Sequence, residues 1–206
     1  MAIQLYKEDL PNNLTLEGVL AIDTEATGLN LERDRLCLIQ ISTGSGDVHM
    51  VHFSNGKYDA PNLKKLLKNN DTLKIFHYAR FDVAIIYRYL EVMMKNIYCT
   101  KIASKIARTY SDSHGLKDIC KELLNIQISK QQQSSYWGSE KLSKSQLDYA
   151  AGDVLYLHQL KAILDEILKR EKRKELFDEC LSCIELIVKL DLNGWSGPEI
   201  FSHKST

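Results

Sequence analysis

The feature that most constrains this chain is the order of its apolar patterns. Three strand-like runs come first: "VLAID" (Val19 to Asp23), "LCLIQIST" (Leu36 to Thr43) and "DVHMVHF" (Asp47 to Phe53). Between the second and third lies "GSGD" (Gly44 to Asp47), a hairpin turn signal. Connections this short favour an antiparallel meander, because parallel pairing needs a long crossover. A helix is predicted in "PNLKKLLKNN", with Pro61 at its start and Asn69-Asn70 at its end. "LKIFHY" then reads as a fourth strand. "RFDVAIIYRYLEVM" reads as a helix with Val83, Ile86, Tyr87 and Leu90 on one face. After about residue 100 the chain reads as helix throughout. Ser113 is the expected N-cap of "SHGLKDICKELL", and Ser143 that of one long helix running to Arg170. A further helical stripe runs through Phe177, Cys180, Leu181, Ile184, Ile187 and Val188. Strands first and helices after predict a mixed α/β layer fold.

Composition sets limits on function. The chain has 206 residues, 44% of them hydrophobic, enough for one large domain with a substantial core. Lys plus Arg total 27 and Asp plus Glu total 27, so the formal net charge is zero. A neutral chain is poorly suited to gripping long nucleic acid, which takes many contacts from Lys and Arg to phosphate. A local phosphate site remains compatible with it. The five cysteines are scattered and odd in number, so a reducing cytoplasm is expected. Cys180 and Cys183 form a CxxC inside an apolar helical pattern, where core filling is the expected role. No apolar run approaches the roughly 20 residues of a membrane span. The N-terminus, with Lys7, Glu8 and Asp9, does not read as a signal peptide. The irregular segment from Ile128 to Lys141 is expected to be a long surface loop with a functional role.

Three groups of residues could carry chemistry. Asp23 and Glu25 stand at i and i+2 at the end of a strand, so both side chains fall on one face, about 7 Å apart along the chain. Taken alone, the pair reads as a solvated edge. Asp82 stands in the first turn of a helix after His77, where a lone carboxylate usually answers the helix dipole. Tyr149 and Asp153, at i and i+4, share one helical face beside a buried stripe. An isolated carboxylate there needs a partner. Together, four carboxylates at the edges of apolar elements suit a pair of Mg²⁺ or Mn²⁺ ions, which prefer hard oxygen ligands. Two such ions, roughly 3.5–4 Å apart, can clamp the attacking and leaving oxygens of a phosphodiester. Tyr149, with an ordinary pKa of about 10, suits positioning a water better than acting as its base.

These groups resemble the DEDD 3′→5′ exonucleases of the tyrosine subclass, close to ribonuclease D. "DTEATG" is similar to the first exonuclease motif and supplies Asp23 and Glu25. "HYARFD" is similar to the second, supplying His77 and Asp82, and "YAAGD" to the third, supplying Tyr149 and Asp153. The likeness runs from Val19 to Leu168 and includes Lys130, Gln133, Ser135 and Trp137; Tyr136 departs from it. It implies a ribonuclease H-like fold, with a mixed sheet of antiparallel meander plus parallel strands flanked by helices. It also implies hydrolysis from a free 3′ end to nucleoside 5′-monophosphates, with Asp23, Glu25, Asp82, Asp153 and Tyr149 catalytic and the four acids holding two divalent cations. Thr27, Gly28, Leu29, His77 and Trp137 are the implied substrate contacts, Leu29 wedging against a base and His77 touching the terminal nucleotide.

The chain stops at Thr206, with no room for the helical C-terminal domains of ribonuclease D proper. That pattern resembles the short NanoRNase C branch of the family, which cleaves RNA dinucleotides and short oligoribonucleotides as homo-octamers. The resemblance therefore implies an exonuclease domain over residues 1–190. A tail over 191–206, carrying Trp195 and Phe201, would dock on a neighbouring subunit or on its own domain. Trimming of longer RNA such as tRNA 3′ ends, or DNA exonuclease activity, is the alternative. A non-catalytic nucleic-acid-binding domain is a further one, disfavoured because all four acids and the tyrosine are present.

Overall fold

In the computed structural model the described residues are 2–129, 132, 134–195, 200 and 203. Lys130, Gln133 and Phe201 lie outside them.

A six-stranded sheet forms the centre. In chain order its strands are β1 (Ile3–Lys7), β2 (Leu20–Ala26), β3 (Leu36–Ser42), β4 (Val48–His52), β5 (Lys74–Phe76) and β6 (Ile97–Cys99). In space they run β1-β4-β3-β2-β5-β6. β2, β3 and β4 pair antiparallel, the meander the short connections require. β1 pairs parallel to β4, and β5 and β6 add parallel strands on the other side. The fold is the expected α/β one, a mixed sheet flanked by helices. The two edge strands, β1 and β6, are absent from the sequence reading. β1 alternates only over Ile3, Gln4 and Leu5 before Tyr6 and Lys7, and β6 is three residues long. Such segments become strands only because a neighbour supplies the ladder.

Eight helices cover the sheet among the described residues. They are α1 (Pro61–Lys68), α2 (Ala79–Leu90), α3 (Thr100–Ala107), α4 (Leu116–Leu124), α5 (Lys144–Leu155), α6 (Leu157–Arg170), α7 (Lys174–Ser182) and α8 (Ile184–Leu192). Each face of the sheet has its own core. Leu20, Ile22, Ile39, Ile41 and Phe76 pack with α1, α2 and α8. Ala21, Leu38, Met50 and Ile75 pack with α3 through α7. Adjacent residues of β2 thus serve opposite layers, as strand alternation demands.

Several expected boundaries move. α2 stops at Leu90, where Glu91 turns left-handed with φ 57°. Ser113 does not cap α4; Gly115 occupies that position, and the Ser113 carbonyl instead accepts from Arg108 Nη1 at 2.9 Å. The expected long helix after Ser143 breaks at Tyr156. There His158 Nε2 donates to the Val19 carbonyl at 2.9 Å, fastening α6 to the start of β2. The last helical stripe breaks at Cys183, where the Ser182 hydroxyl donates back to the Glu179 carbonyl at 2.6 Å. Such back-bonding bends helices. The break lets the chain change layers: Phe177 lies in one core, Ile184 and Val188 in the other. The CxxC sits at this corner with Cys183 exposed and Cys180 half-buried, so it does not fill a core. No described helix is long and apolar enough to cross a membrane.

Two sequence features hold the elements that lead to the cleft. The side chain of Lys74 in β5 is fully buried, and its ammonium donates to the carbonyls of Asn69, Thr72 and Lys95 at 2.5, 3.0 and 3.2 Å. At the start of α5, Ser143 and Gln146 form a reciprocal capping box. Replacing Ser143 with Ala should destabilise the protein by about 1 kcal/mol. Urea denaturation checks this; an unchanged midpoint would show that the cap contributes nothing.

Candidate active site

β2 does not end at its acids but runs through them to Ala26. Asp23 and Glu25 therefore point from the sheet toward the layer that contains α5, and α5 brings Asp153 to them. One oxygen from each of Asp23, Glu25 and Asp153 lies within 4.8 Å of the others. Asp82 arrives from the opposite layer, in the first turn of α2, and is 3% exposed. It stands beside this trio rather than in it. Thr24, on the opposite face of β2 from its two acidic neighbours, donates its hydroxyl to Asp82 Oδ1 at 2.7 Å.

The acids are electrostatically strained. Burial pushes Asp23 and Glu25 well above the usual carboxylate range, and the neighbouring acids push them further. Burial also raises Asp82 and Asp153 to about 7, although Thr24 pulls Asp82 back and Tyr149 pulls Asp153 back. Mutual repulsion is thus real but second to desolvation. Among the described residues no Lys or Arg forms an ion pair with any of the four. Asp23 accepts from the Thr24 backbone N–H and, at 3.5 Å, from the Gln40 amide directly across on β3. Gln40 is fully buried and was invisible as a site residue, because a lone glutamine in a strand carries no pattern.

A cleft of about 590 Å³ opens over the acids. Every residue the sequence singled out for the site lines it: Asp23, Glu25, Thr27, Gly28, Leu29, His77, Asp82, Trp137, Tyr149 and Asp153. Their environments differ. Leu29 is 82% exposed, an apolar side chain projecting into the cleft from the β2–β3 turn. The turn that presents it is built. Asp34 accepts from the Asn30 N–H at 2.9 Å, and a Cβ on Gly28 would lie 2.3 Å from Asp34 Oδ2, so a larger residue would displace that carboxylate. The Thr27 hydroxyl accepts from the Arg35 N–H at 2.9 Å, which makes Thr27 an anchor of the turn.

Tyr149 and Trp137 form one wall, their rings 6.1 Å apart. Trp137 is only 2% exposed, so it belongs to the core as much as to the cleft, despite sitting in an irregular segment. Arg35 Nη2 donates to the Gly138 carbonyl at 3.0 Å, and Gln146 Nε2 donates to Ser135 Oγ at 3.2 Å and to the Tyr136 carbonyl at 3.3 Å. Those bonds anchor residues 135–138 of the expected loop. Tyr136 itself is exposed and does not line the cleft. Burial and the nearby acids push the Tyr149 phenol far up, so it keeps its proton and acts as a donor.

His77 closes the other side. Its Nδ1 lies 2.9 Å from Thr100 Oγ1, whose own proton goes to the Phe76 carbonyl at 3.2 Å. The His77 ring is pushed down to about 3, first by burial and then by the charge of Lys101, so it is neutral. His77 Nε2 and Trp137 Nε1 have no hydrogen-bond partner among the described residues. Lys101 and Lys117, which sequence reading passed over, also line the cleft and supply its positive charge. Lys101 Nζ stands 4.4 Å from the centre of the Tyr78 ring.

Known proteins are similar to this chain. Residues 5–169 match the 3′-5′ exonuclease family. A ribonuclease D from Sphingobium indicum is 30% identical over 160 residues, 78% of this chain and 41% of the relative. The chain spans about two fifths of the length of the curated ribonuclease D relatives it matches. The structure of Brucella melitensis NrnC bound to pGG has a TM-score of 0.94 and 48% identity, covering 99% of this chain and 100% of that one. The structure of Brucella melitensis NrnC with bound Mg²⁺ has a TM-score of 0.93 and 47% identity over the same shares. On these matches the chain belongs to the 3′-5′ exonuclease family of phosphodiester hydrolases, among the ribonuclease D-like members that include NrnC.

Proposed function

We propose that the protein is a metal-dependent 3′→5′ exoribonuclease that hydrolyses dinucleotides and short oligoribonucleotides to nucleoside 5′-monophosphates. The observation that carries this reading is the convergence of three carboxylates, with a fourth beside them, in a cleft without a paired cation. Such a donor set fits hard divalent ions: all oxygen, excess negative charge, and pKa values that only a cation would restore. Asp23, Glu25 and Asp153 would hold the ions directly, with Asp82 completing the set; two ions of Mg²⁺ or Mn²⁺ are proposed. When bound, such ions make water acidic enough to attack a phosphodiester and neutralise the leaving oxygen. The chain's own residues do the rest. The protonated Tyr149 hydroxyl orients the attacking water. Leu29 stacks against the terminal base, neutral His77 contacts the terminal nucleotide, and Trp137 backs the wall that holds Tyr149.

The preference for short substrates is supported by three facts: zero net charge, a cleft of limited size, and pGG as the ligand of a neighbour 48% identical over nearly the whole chain. Residues 1–190 are read as the catalytic domain, with the tail, which includes the exposed Trp195, as a docking segment between subunits. The described cysteines are all free, which suits a reducing cytoplasm.

Time courses on 5′-labelled RNAs of two to about ten nucleotides, with Mg²⁺ and Mn²⁺ compared, test the function. Dinucleotides should disappear fastest, and Asp23→Ala should lower the rate by about a thousandfold or more. Long RNA or DNA degraded as fast as dinucleotides would favour the trimming or DNA reading instead.

The raised acids also predict a pH signature. In the unfolded chain these carboxyls titrate near 4, and in the fold Asp82 and Asp153 titrate at about 7. Between those values the metal-free fold holds more protons than the unfolded chain, so its stability falls as pH rises. A divalent cation compensates only the ionised form. Mn²⁺ at about a hundredfold over its Kd should therefore stabilise by about 2.7 kcal/mol at pH 8 and much less at pH 5. Thermal unfolding measures this, and equal shifts at both pH values would argue against the acids as the cation site. Light scattering at micromolar concentration should report a homo-oligomer, an octamer on the family resemblance; a mass near 23.6 kDa would reject it.

A further inference from the structure

Asp82 reaches the site from the α2 layer, whereas Asp23, Glu25 and Asp153 come together on the α5 side. Thr24 is the residue through which the two layers meet. It sits between the two acids of β2, is 7% exposed, and faces α2 because strand alternation turns it away from its neighbours. Its hydroxyl donates to Asp82 Oδ1 at 2.7 Å, a short bond to a charged acceptor. That bond engages Oδ1 of Asp82, a residue that also lines the cleft. It is the hydrogen bond that another side chain makes to Asp82; the backbone N–H groups of Thr24 and Asp82 add to it.

We infer that Thr24 is a positioning residue, acting through Asp82, that fixes which oxygen this acid offers to a divalent cation. The inference rests on the reading of the four acids as a cation site. Thr24 needs no contact with substrate or ion to do this. Outer partners of metal ligands set the direction of the ligand, and losing one typically weakens metal binding or activity about 10–100-fold. A β-branched residue is favoured at this strand position whatever its polarity, so valine preserves the shape and removes only the donor.

The test uses the full chain, Mn²⁺ as the probe and isothermal titration calorimetry as the readout, with kcat and KM on an RNA dinucleotide alongside. Thr24→Val should weaken Mn²⁺ binding by at least about tenfold. The kcat should fall while the dinucleotide KM stays nearly constant. Thr24→Ser, which keeps the hydroxyl, should return binding to within about threefold of the parent, because the donor and not the methyl group is at issue. Should Thr24→Val not fold, Thr24→Ala carries the same expectation. In an Asp82→Asn background, Thr24→Val should weaken Mn²⁺ binding no further, since two groups acting as one unit are not additive. Unchanged Mn²⁺ binding in Thr24→Val, or an equal loss in the Asp82→Asn background, would overturn the inference. If the parent protein binds Mn²⁺ with this Thr24 dependence but leaves RNA intact, the inference stands and the proposed function fails.

Discussion

The structure is organised around unbalanced negative charge. Three carboxylates meet at the sheet with a fourth, Asp82, beside them, and no lysine or arginine is paired to any of them among the described residues. Burial is the larger reason their pKa values rise, and proximity adds to it. A fold optimised for stability alone would place a cation there or remove an acid. Keeping all four means that the scaffold must hold them against repulsion. It does so with secondary structure: Asp23 and Glu25 on a strand paired to β3 along their length and to β5 just before them, Asp82 and Asp153 on helices each packed against a different core. The result is an electrostatically strained cluster of oxygen donors.

Much of the surrounding architecture supports that arrangement at one remove. The buried ammonium of Lys74 fixes the strand that leads to His77. The capping box at Ser143 starts the helix that carries Tyr149 and Asp153, and its Gln146 also holds the segment bearing Trp137. Arg35 ties the same segment to the turn that presents Leu29.

The sequence was readable where local physics decides. Short connections dictated the meander, and Pro61 and Ser143 marked helix starts that the structure has. The spacing of Asp23 with Glu25 and of Tyr149 with Asp153 already placed each pair on one face. Reading failed where a distant contact decides. β1 and β6 exist because β4 and β5 offer free edges. The long helical stripes break at Tyr156 and Cys183, because His158 must reach Val19 and the chain must pass from one layer to the other. Ser113 was a plausible cap, but its segment is held by the buried Arg108 instead. The CxxC fell on that layer-changing corner and not in a core.

By itself, then, the sequence determined which residue types could bind a hard cation and which of them share a strand or a helix, because alternation and helical pitch are local properties. Only the tertiary structure decided that elements 58 and 130 residues apart from β2's acids converge there, since Thr24 meets Asp82 across 58 positions and Asp153 lies 130 beyond Asp23. It also decided that the convergence is asymmetric: three acids on one side of the sheet, the fourth held from the other by Thr24. That asymmetry depends on which layer each helix joins, and layer choice is set by packing across the whole core.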